Sequence, residues 1–343
     1  MNTIIVGCGF GDEGKGVAVD YHTAKSMSKP LIVRFSGGPQ AGHTVFVNGI
    51  NHVSSNFGSG VLRNAPTFFS KHTCINPLNI FNEYEALRAK GFDPLLAVDP
   101  LATVITPEDV YKSQYNKGGT CGMGIGAAMH RQLATPYKLH AIDLMNKEVW
   151  DNKMESLFAI GSPYDTVYME AYKRAVEFCR VFLRVETFES ISQNYPNIIF
   201  EGSQGTLLDM DHGVFPEVTY ANTTVKNALE MIPKDEAVQV VFTSRTYTTR
   251  HGNGWMPDTE KLIINNPLET NVYNEFQGKF RTAKLSLGLV KHSINVNRAY
   301  YGSRGNIQEQ IIWSCCDQVD PPTPIEDMIN LYNCSPESKT IYV

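Results

Sequence analysis

Ten residues near the amino terminus, Gly7-Cys8-Gly9-Phe10-Gly11-Asp12-Glu13-Gly14-Lys15-Gly16, set two carboxylates and a lysine among five glycines. Gly9, Gly11 and Gly14 satisfy G-x-G-x-x-G, the dinucleotide spacing, while Gly9 with Gly14-Lys15 satisfies G-x-x-x-x-G-K, the phosphate loop. A dinucleotide site calls for an acid at the end of the second strand, and that strand ends Arg34-Phe35-Ser36-Gly37-Gly38 without one. A phosphate loop needs glycines for close backbone approach and a lysine to carry charge to the phosphates, and both are present. Gly16 stands where a Ser or Thr usually ligates magnesium, which makes Asp12 the candidate for that oxygen. The bland alternative is a tight strand-to-helix turn with solvated charges. A second cluster, Gly37-Gly38-Pro39-Gln40-Ala41-Gly42-His43-Thr44, puts His43 in another glycine-rich turn after an apolar strand. Ligands of α/β proteins sit at the carboxyl ends of neighbouring parallel strands, so Asp12 and His43 are expected to face one another across a bound nucleotide.

The elements that would position these residues follow from hydrophobic patterning. Strand-like runs occur at Thr3–Val6, Leu31–Phe35, Leu95–Val98, Ile198–Phe200, Val238–Thr243 and Gln310–Ser314, several of them continuously apolar, as in strands covered on both faces. Asn76-Pro77 reads as a helix cap and first-turn proline with Gly91 as the stop, and Thr106-Pro107-Glu108-Asp109 opens another helix. The longest candidate opens at Ser162-Pro163 and carries Val167, Ala171, Ala175, Phe178, Phe182 and Val185 along one face, before Pro196. Alternating strands and helices predict an α/β fold with a central, mainly parallel sheet flanked by helices. Without a repeat or a low-complexity linker, residues 1–343 read as one elaborated domain.

Hydrophobic residues make up 42% and charged residues 19%, a globular balance, and the net charge of -5 offers no concentrated basic surface for nucleic acid. The seven cysteines are scattered without a C-x-x-C pair, which fits a reduced, intracellular protein rather than a zinc module. No stretch approaches 18 consecutive apolar residues and the first residues lack a basic n-region, so neither a membrane span nor a signal peptide is expected. Cytoplasmic residence follows, in a host's cytoplasm if the chain is phage-encoded.

At GDEGKG and GGPQAGHT the chain resembles the adenylosuccinate synthetase family, and further blocks resemble it in order. These are Gly118 to Gly126, Phe200 to Asp209, Pro216 to Thr224, and Tyr247 to Gly254. The resemblance implies a ligase that joins aspartate to a purine 6-oxo group with a nucleoside triphosphate and Mg²⁺, and a homodimer. It implies Asp12 as the base that takes the purine N1 proton, and His43 as the acid that stabilises charge during phosphoryl transfer. Gly11, Asp12, Glu13, Gly14, Lys15, Gly16, Gly42, His43 and Thr44 would then hold the triphosphate, with Asp317, Ser335 and Pro336 at its base. Asp12 and the Gly42 carbonyl would ligate the metal. Gln40, Thr120, Cys121, Gln204 and Thr219 map onto substrate-nucleotide contacts, and Thr249, Arg250, Lys279 and Arg281 onto aspartate contacts.

The departures from the family pattern bear on the substrate. The carboxyl-terminal region is short, and Cys315 occupies a lysine position of the family's guanine pocket, which suits ATP or dATP over GTP. Met123 replaces an arginine, and the arginine lent across the family dimer aligns near Thr135, with Arg131 or Lys138 as basic neighbours. Gly278-Lys279-Phe280-Arg281 keeps only part of an arginine-rich loop, which suits a deoxyribose. These features resemble the family's phage branch, in which dGMP replaces IMP on the way to 2-aminoadenine DNA. The alternative is the ordinary activity on IMP with GTP. His212, Trp255 and the Cys315-Cys316 pair read as structural, the two cysteines pointing to opposite faces of a strand.

Overall fold

The computed structural model describes residues 1–343 apart from 116–119, 159–163, 165, 258–261, 265, 268, 270, 272 and 274. The strands are β1 (Asn2–Gly7), β2 (Leu31–Arg34), β3 (His43–Val47), β4 (Ile50–Ser54), β5 (Thr67–Phe69), β6 (Cys74–Ile75), β7 (Leu96–Val98), β8 (Thr103–Val104), β9 (Arg184–Val185), β10 (Ile198–Gly205), β11 (Val238–Arg245), β12 (Tyr247–His251), β13 (Phe280–Lys284), β14 (Ile307–Ser314), β15 (Ile329–Asn333) and β16 (Ile341–Tyr342). The helices are α1 (Lys15–Lys25), α2 (Pro77–Ala89), α3 (Pro107–Tyr115), α4 (Ile125–Ala134), α5 (Ala141–Met145), α6 (Lys147–Phe158), α7 (Thr166–Phe182), α8 (Phe188–Ser192), α9 (Lys226–Met231) and α10 (Leu287–Arg298).

Ten strands form one sheet in the order β16-β15-β14-β11-β1-β10-β2-β5-β7-β9, parallel throughout except where β15 meets β16. Alternation along the strands explains the two-sided burial. Ile4 and Val6 of β1 pack with Phe200, Val240, Phe242 and the apolar stripes of α9 and α10. Ile5 points the other way, into Val241 and Ile312 and onto Ala18 and Val19 of α1. Truncating such a fully buried isoleucine to alanine costs about 2–5 kcal/mol.

All six strand runs expected from sequence are present. The Asn76 side chain caps α2 by accepting from the Leu78 and Asn79 amides at 3.0 and 3.4 Å, and Gly91 takes a left-handed φ of +86° just past the helix end. The expected longest helix is corrected at its carboxyl end. Its expected opening, Ser162-Pro163, lies outside the described residues, Val167 is 72% exposed, and the chain leaves α7 at Phe182, so Val185 belongs to β9. Ala175 is buried as expected, Tyr172, Val176 and Cys179 join it on the buried face, and Phe178 and Phe182 pack half-buried against the same core. The Cys315-Cys316 pair is also corrected. β14 stops at Ser314, and Cys315 turns into the left-handed region at φ +62°, so the pair lies beyond the strand.

The sheet order places the ends of β1, β2, β10, β11 and β14 side by side, because β1 pairs with both β10 and β11. Their carboxyl ends carry Gly7, Arg34, Gly205, Arg245 and Ser314. Outside the sheet, the hairpin β3–β4 begins at His43 and the hairpin β12–β13 pairs Arg250 with Arg281.

Candidate functional site

The glycine-rich loop leaves β1 and enters α1 through three successive exceptions to ordinary backbone. Gly11, Asp12 and Gly14 all have positive φ (+101°, +64° and +87°), a cost that only Gly avoids. Its two carboxylates divide the work. Glu13 turns inward, accepts the Gly9 and Gly11 amides at 3.0 and 2.8 Å, and pairs with the Lys15 ammonium, with both side chains buried. The chain must be glycine where Glu13 passes, since a Cβ at Gly7 would lie 2.4 Å from its carboxylate, and one at Gly205 2.1 Å. Asp12 instead faces a cleft and keeps 23% of its side chain exposed. Burial raises its pKa above the usual carboxylate range, against the pull of Arg245 and His251.

Gly16, in the place of the usual hydroxyl residue, lets α1 lie against β3. A Cβ there would sit 2.9 Å from the His43 Cβ. His43 is thereby held beside the loop, and its Nδ1 lies 2.5 Å from the Glu201 carboxylate. Glu201 also accepts the Ser59 amide at 3.0 Å and the Ser59 hydroxyl, with Arg34 4.0 Å away. Burial opposes its ionisation, but the Arg34 charge and the His43 hydrogen bond bring Glu201 down to about 2. An ionised carboxylate only accepts, so His43 Nδ1 carries the proton, leaving Nε2 as the nitrogen that can meet a ligand. Burial lowers the His43 pKa more than Glu201 raises it.

One cleft, of about 840 Å³ counting its open mouth, brings most of the expected phosphate and nucleotide residues together. Asp12, Glu13, Gly14, Lys15 and Gly16 form one wall, Gly42, His43 and Thr44 a second, and Asp317, Ser335 and Pro336 a third. Gly11 lies behind, its carbonyl accepting the Thr249 hydroxyl at 3.1 Å. The metal expectation fits these donors: a carboxylate at Asp12 and a carbonyl at Gly42 are hard oxygens on one cleft. Among the described residues no three His, Cys, Asp or Glu side chains gather to hold a metal, so such an ion would depend on phosphate oxygens and water as well.

The other expected residues are spread wider. Both side-chain amide atoms of Gln40, and Oε1 of Gln204 (φ +50°), are buried without a partner among the described residues. Thr120 is exposed and its hydroxyl meets Ser113 at 2.9 Å; Cys121 packs with Cys74, Ile105 and Val110, and burial pushes its thiol up to about 11. Neither lines the cleft, and the adjoining Gly118-Gly119 lie outside the described residues. The Thr219 amide donates to the Leu208 carbonyl at 2.8 Å. Arg250 spans the Trp255 and Glu217 carbonyls at 2.6 and 2.9 Å and lies over Phe10, while Lys279 is exposed. Arg281 donates to the Gly254 carbonyl at 2.6 Å. Burial, then the Arg281 charge, lowers the Arg250 pKa.

Arg131 is corrected as a stand-in for the cross-dimer arginine. It is buried, with its guanidinium committed to Asp109 and to the Val104 and Tyr137 carbonyls. Trp255 is 52% exposed, touching Phe10 edge-on rather than filling a core. The sequence motifs assign no role to Arg245 and Glu201, each the one charged residue of a buried parallel strand. That placement was the available signal, because a charge buried in a sheet needs a partner. Arg245 donates from Nε to the Asp12 carbonyl at 2.5 Å and pairs with Glu269 at 2.5 Å.

Parallel strand ends that gather a glycine-rich loop, a lysine, a carboxylate and an imidazole define an α/β protein of the phosphate-loop type. Comparison with known proteins takes this to a family. The family model described as adenylosuccinate synthetase matches residues 4–299. The adenylosuccinate synthetase of Polaromonas sp. is 31% identical over 284 residues, which is 75% of this chain and 63% of the relative. That of Oleidesulfovibrio alaskensis is 31% identical over 330 residues, 86% and 75% of the two. The chain belongs to the adenylosuccinate synthetase family.

The matched stretch spans under two thirds of the Polaromonas enzyme and of that from Borrelia duttonii (63% and 62%). Two solved structures share the fold. Fully ligated adenylosuccinate synthetase from Plasmodium falciparum superposes with a TM-score of 0.69 at 21% identity, over 92% of this chain and 77% of the other. Cyanophage S-2L succinoaminodeoxyadenylate synthetase, bound to dGMP and dATP, superposes with a TM-score of 0.72 at 19% identity, over 99% and 94%.

Proposed function

We propose that this protein is a C–N ligase that joins L-aspartate to C6 of dGMP, with ATP or dATP as phosphate donor, giving N6-succino-2-amino-2′-deoxyadenylate for 2-aminoadenine DNA. The observation that carries this reading is the meeting of Asp12, Lys15 and His43 on one cleft, with Arg250 and Arg281 directly opposed on the neighbouring hairpin. Two cations facing one another repel, and a dicarboxylate relieves that repulsion. The phage choice draws support from the cyanophage likeness, which runs over 99% of this chain and 94% of the other. Cys315 on the cleft wall, in place of the family's lysine, supports a donor other than GTP.

In this mechanism Asp12 Oδ takes the N1 proton as O6 attacks the γ-phosphate and the bond to the β-phosphate breaks. Lys15 screens the phosphate charge, and His43, when cationic, donates from Nε2 to the oxygen that gains charge, its imidazolium supported by Glu201. Arg250 and Arg281 orient the aspartate carboxylates. The aspartate amine then adds at C6, phosphate leaves with the C6–O bond electrons, and the amine loses a proton. Mg²⁺, held by Asp12 and the Gly42 carbonyl, would neutralise charge on the phosphates. The working unit is a homodimer in the cytoplasm, acting on small molecules.

The ordinary activity, on IMP with GTP, is the second reading, favoured by the bacterial relatives and by Asp317 on the cleft wall. The test is incubation with dGMP or IMP, aspartate, MgCl₂, and ATP, dATP or GTP, following the succinyl nucleotide by chromatography. Product from dGMP with ATP or dATP is expected; product from IMP with GTP alone would move the assignment to the second reading.

A further inference from the structure

We propose that His251 is a positioning residue for Asp12, completing a grip that one strand face takes on the phosphate loop. The proposal rests on the reading of Asp12 as the group that meets the purine. Asp12 has φ +64°, a left-handed conformation that a non-glycine residue keeps only where its surroundings enforce it. The enforcement comes from residues two apart along β11–β12. Arg245 Nε donates to the Asp12 carbonyl at 2.5 Å, and Arg245 is itself braced by the Tyr247 hydroxyl at 2.8 Å. The Thr249 hydroxyl donates to the Gly11 carbonyl at 3.1 Å. Residues 247, 249 and 251 share a strand face, and its last member, His251, brings Nε2 to 3.5 Å from Asp12 Oδ2.

The first contacts fix the backbone, and only the third reaches the carboxylate. The His251 ring tilts against Phe280, its cross-strand partner, at 5.0 Å between centroids. Its Nδ1 is buried with no hydrogen-bond partner among the described residues, so the ring's ion-pair contact is with Asp12. Arg245, Glu13 and Lys15 are the other charged groups acting on that carboxylate, and Arg245 and Lys15 have partners in Glu269 and Glu13.

The test compares wild type, His251→Ala, His251→Gln, Asp12→Asn and the double variant Asp12→Asn/His251→Ala, reading succinyl-nucleotide formation and thermal midpoints. With wild type active and Asp12→Asn down by about 10² or more, His251→Ala should lose about 10- to 100-fold in kcat, with KM for triphosphate within about threefold. His251→Gln, whose amide nitrogen reaches the same place, should recover most of that loss. In the Asp12→Asn background the alanine change should cost nothing further, a coupling that a merely structural role would not produce. A wild-type rate in His251→Ala, a glutamine no better than alanine, or additive losses in the double variant would each overturn the proposal. A wild type without product, or an active Asp12→Asn, would overturn the reading beneath it instead.

Discussion

The two sides of the site differ in how completely they satisfy themselves. Around the loop, the buried carboxylates and the imidazole have partners from the chain: Glu13 with Lys15 and two amides, His43 with Glu201, and Glu201 with Ser59, while Arg34 stands 4.0 Å from Glu201 with its Nε unpaired among the described residues. Among the residues expected to meet the nucleotide and aspartate, the Gln40 amide, Gln204 Oε1 and Arg281 Nε are buried without partners among the described residues, and Arg250 faces Arg281. A buried polar atom left unpaired costs about 1–3 kcal/mol. The first side is therefore part of the fold's own stability. The second carries a standing cost that a polar ligand offering both donors and acceptors removes.

The contrast can be broken most directly at Lys15. Lys15→Met leaves Glu13 charged and buried, and should lose about 3–5 kcal/mol of stability in urea titrations; a loss confined to triphosphate binding would mean that the loop does not depend on its internal pair. Next comes acid. Glu201 has a folded pKa of about 2 against an ordinary 4.5, so its contribution is fully present above about pH 4.5 and is lost as pH falls through about 2. That amounts to about 3 kcal/mol at 1.36 kcal/mol per pKa unit. Urea midpoints at pH 7, 4.5 and 3 should fall in the last interval for wild type and much less for Glu201→Gln.

On the other side, Arg281→Met should raise KM for aspartate about tenfold with the melting temperature unchanged or higher, because it removes one of two opposed cations. A lower melting temperature would place Arg281 with the self-satisfied side. Smallest is Cys315→Ser, expected within about twofold of wild-type turnover, since burial keeps that thiol protonated and its change to a hydroxyl is nearly isosteric.

Much of this was legible locally. Continuous apolar runs such as Ile4-Ile5-Val6 and Leu31-Ile32-Val33 announce strands covered on both faces, and Asn76-Pro77 announces a capped helix, because periodicity and turn chemistry act over a few residues. Asp12, Lys15 and His43 were legible because glycine-rich turns after such strands are where ligands meet α/β proteins. The end of α7 was not, since nothing in the pattern through Val185 shows that this valine is needed to pair with Val98.

What the chain's order of residues determined by itself was the inventory: the strands, the capped helix, and a loop rich in glycine, carboxylate and lysine. Only the tertiary structure decided which carboxylate serves the loop and which serves the cleft, and that Arg245 and His251 grip a residue more than 230 positions away. The reason is that backbone and side-chain preferences are set by near neighbours. The identity of a charge's partner is set by the order of strands in the sheet, which brings β1 between β10 and β11.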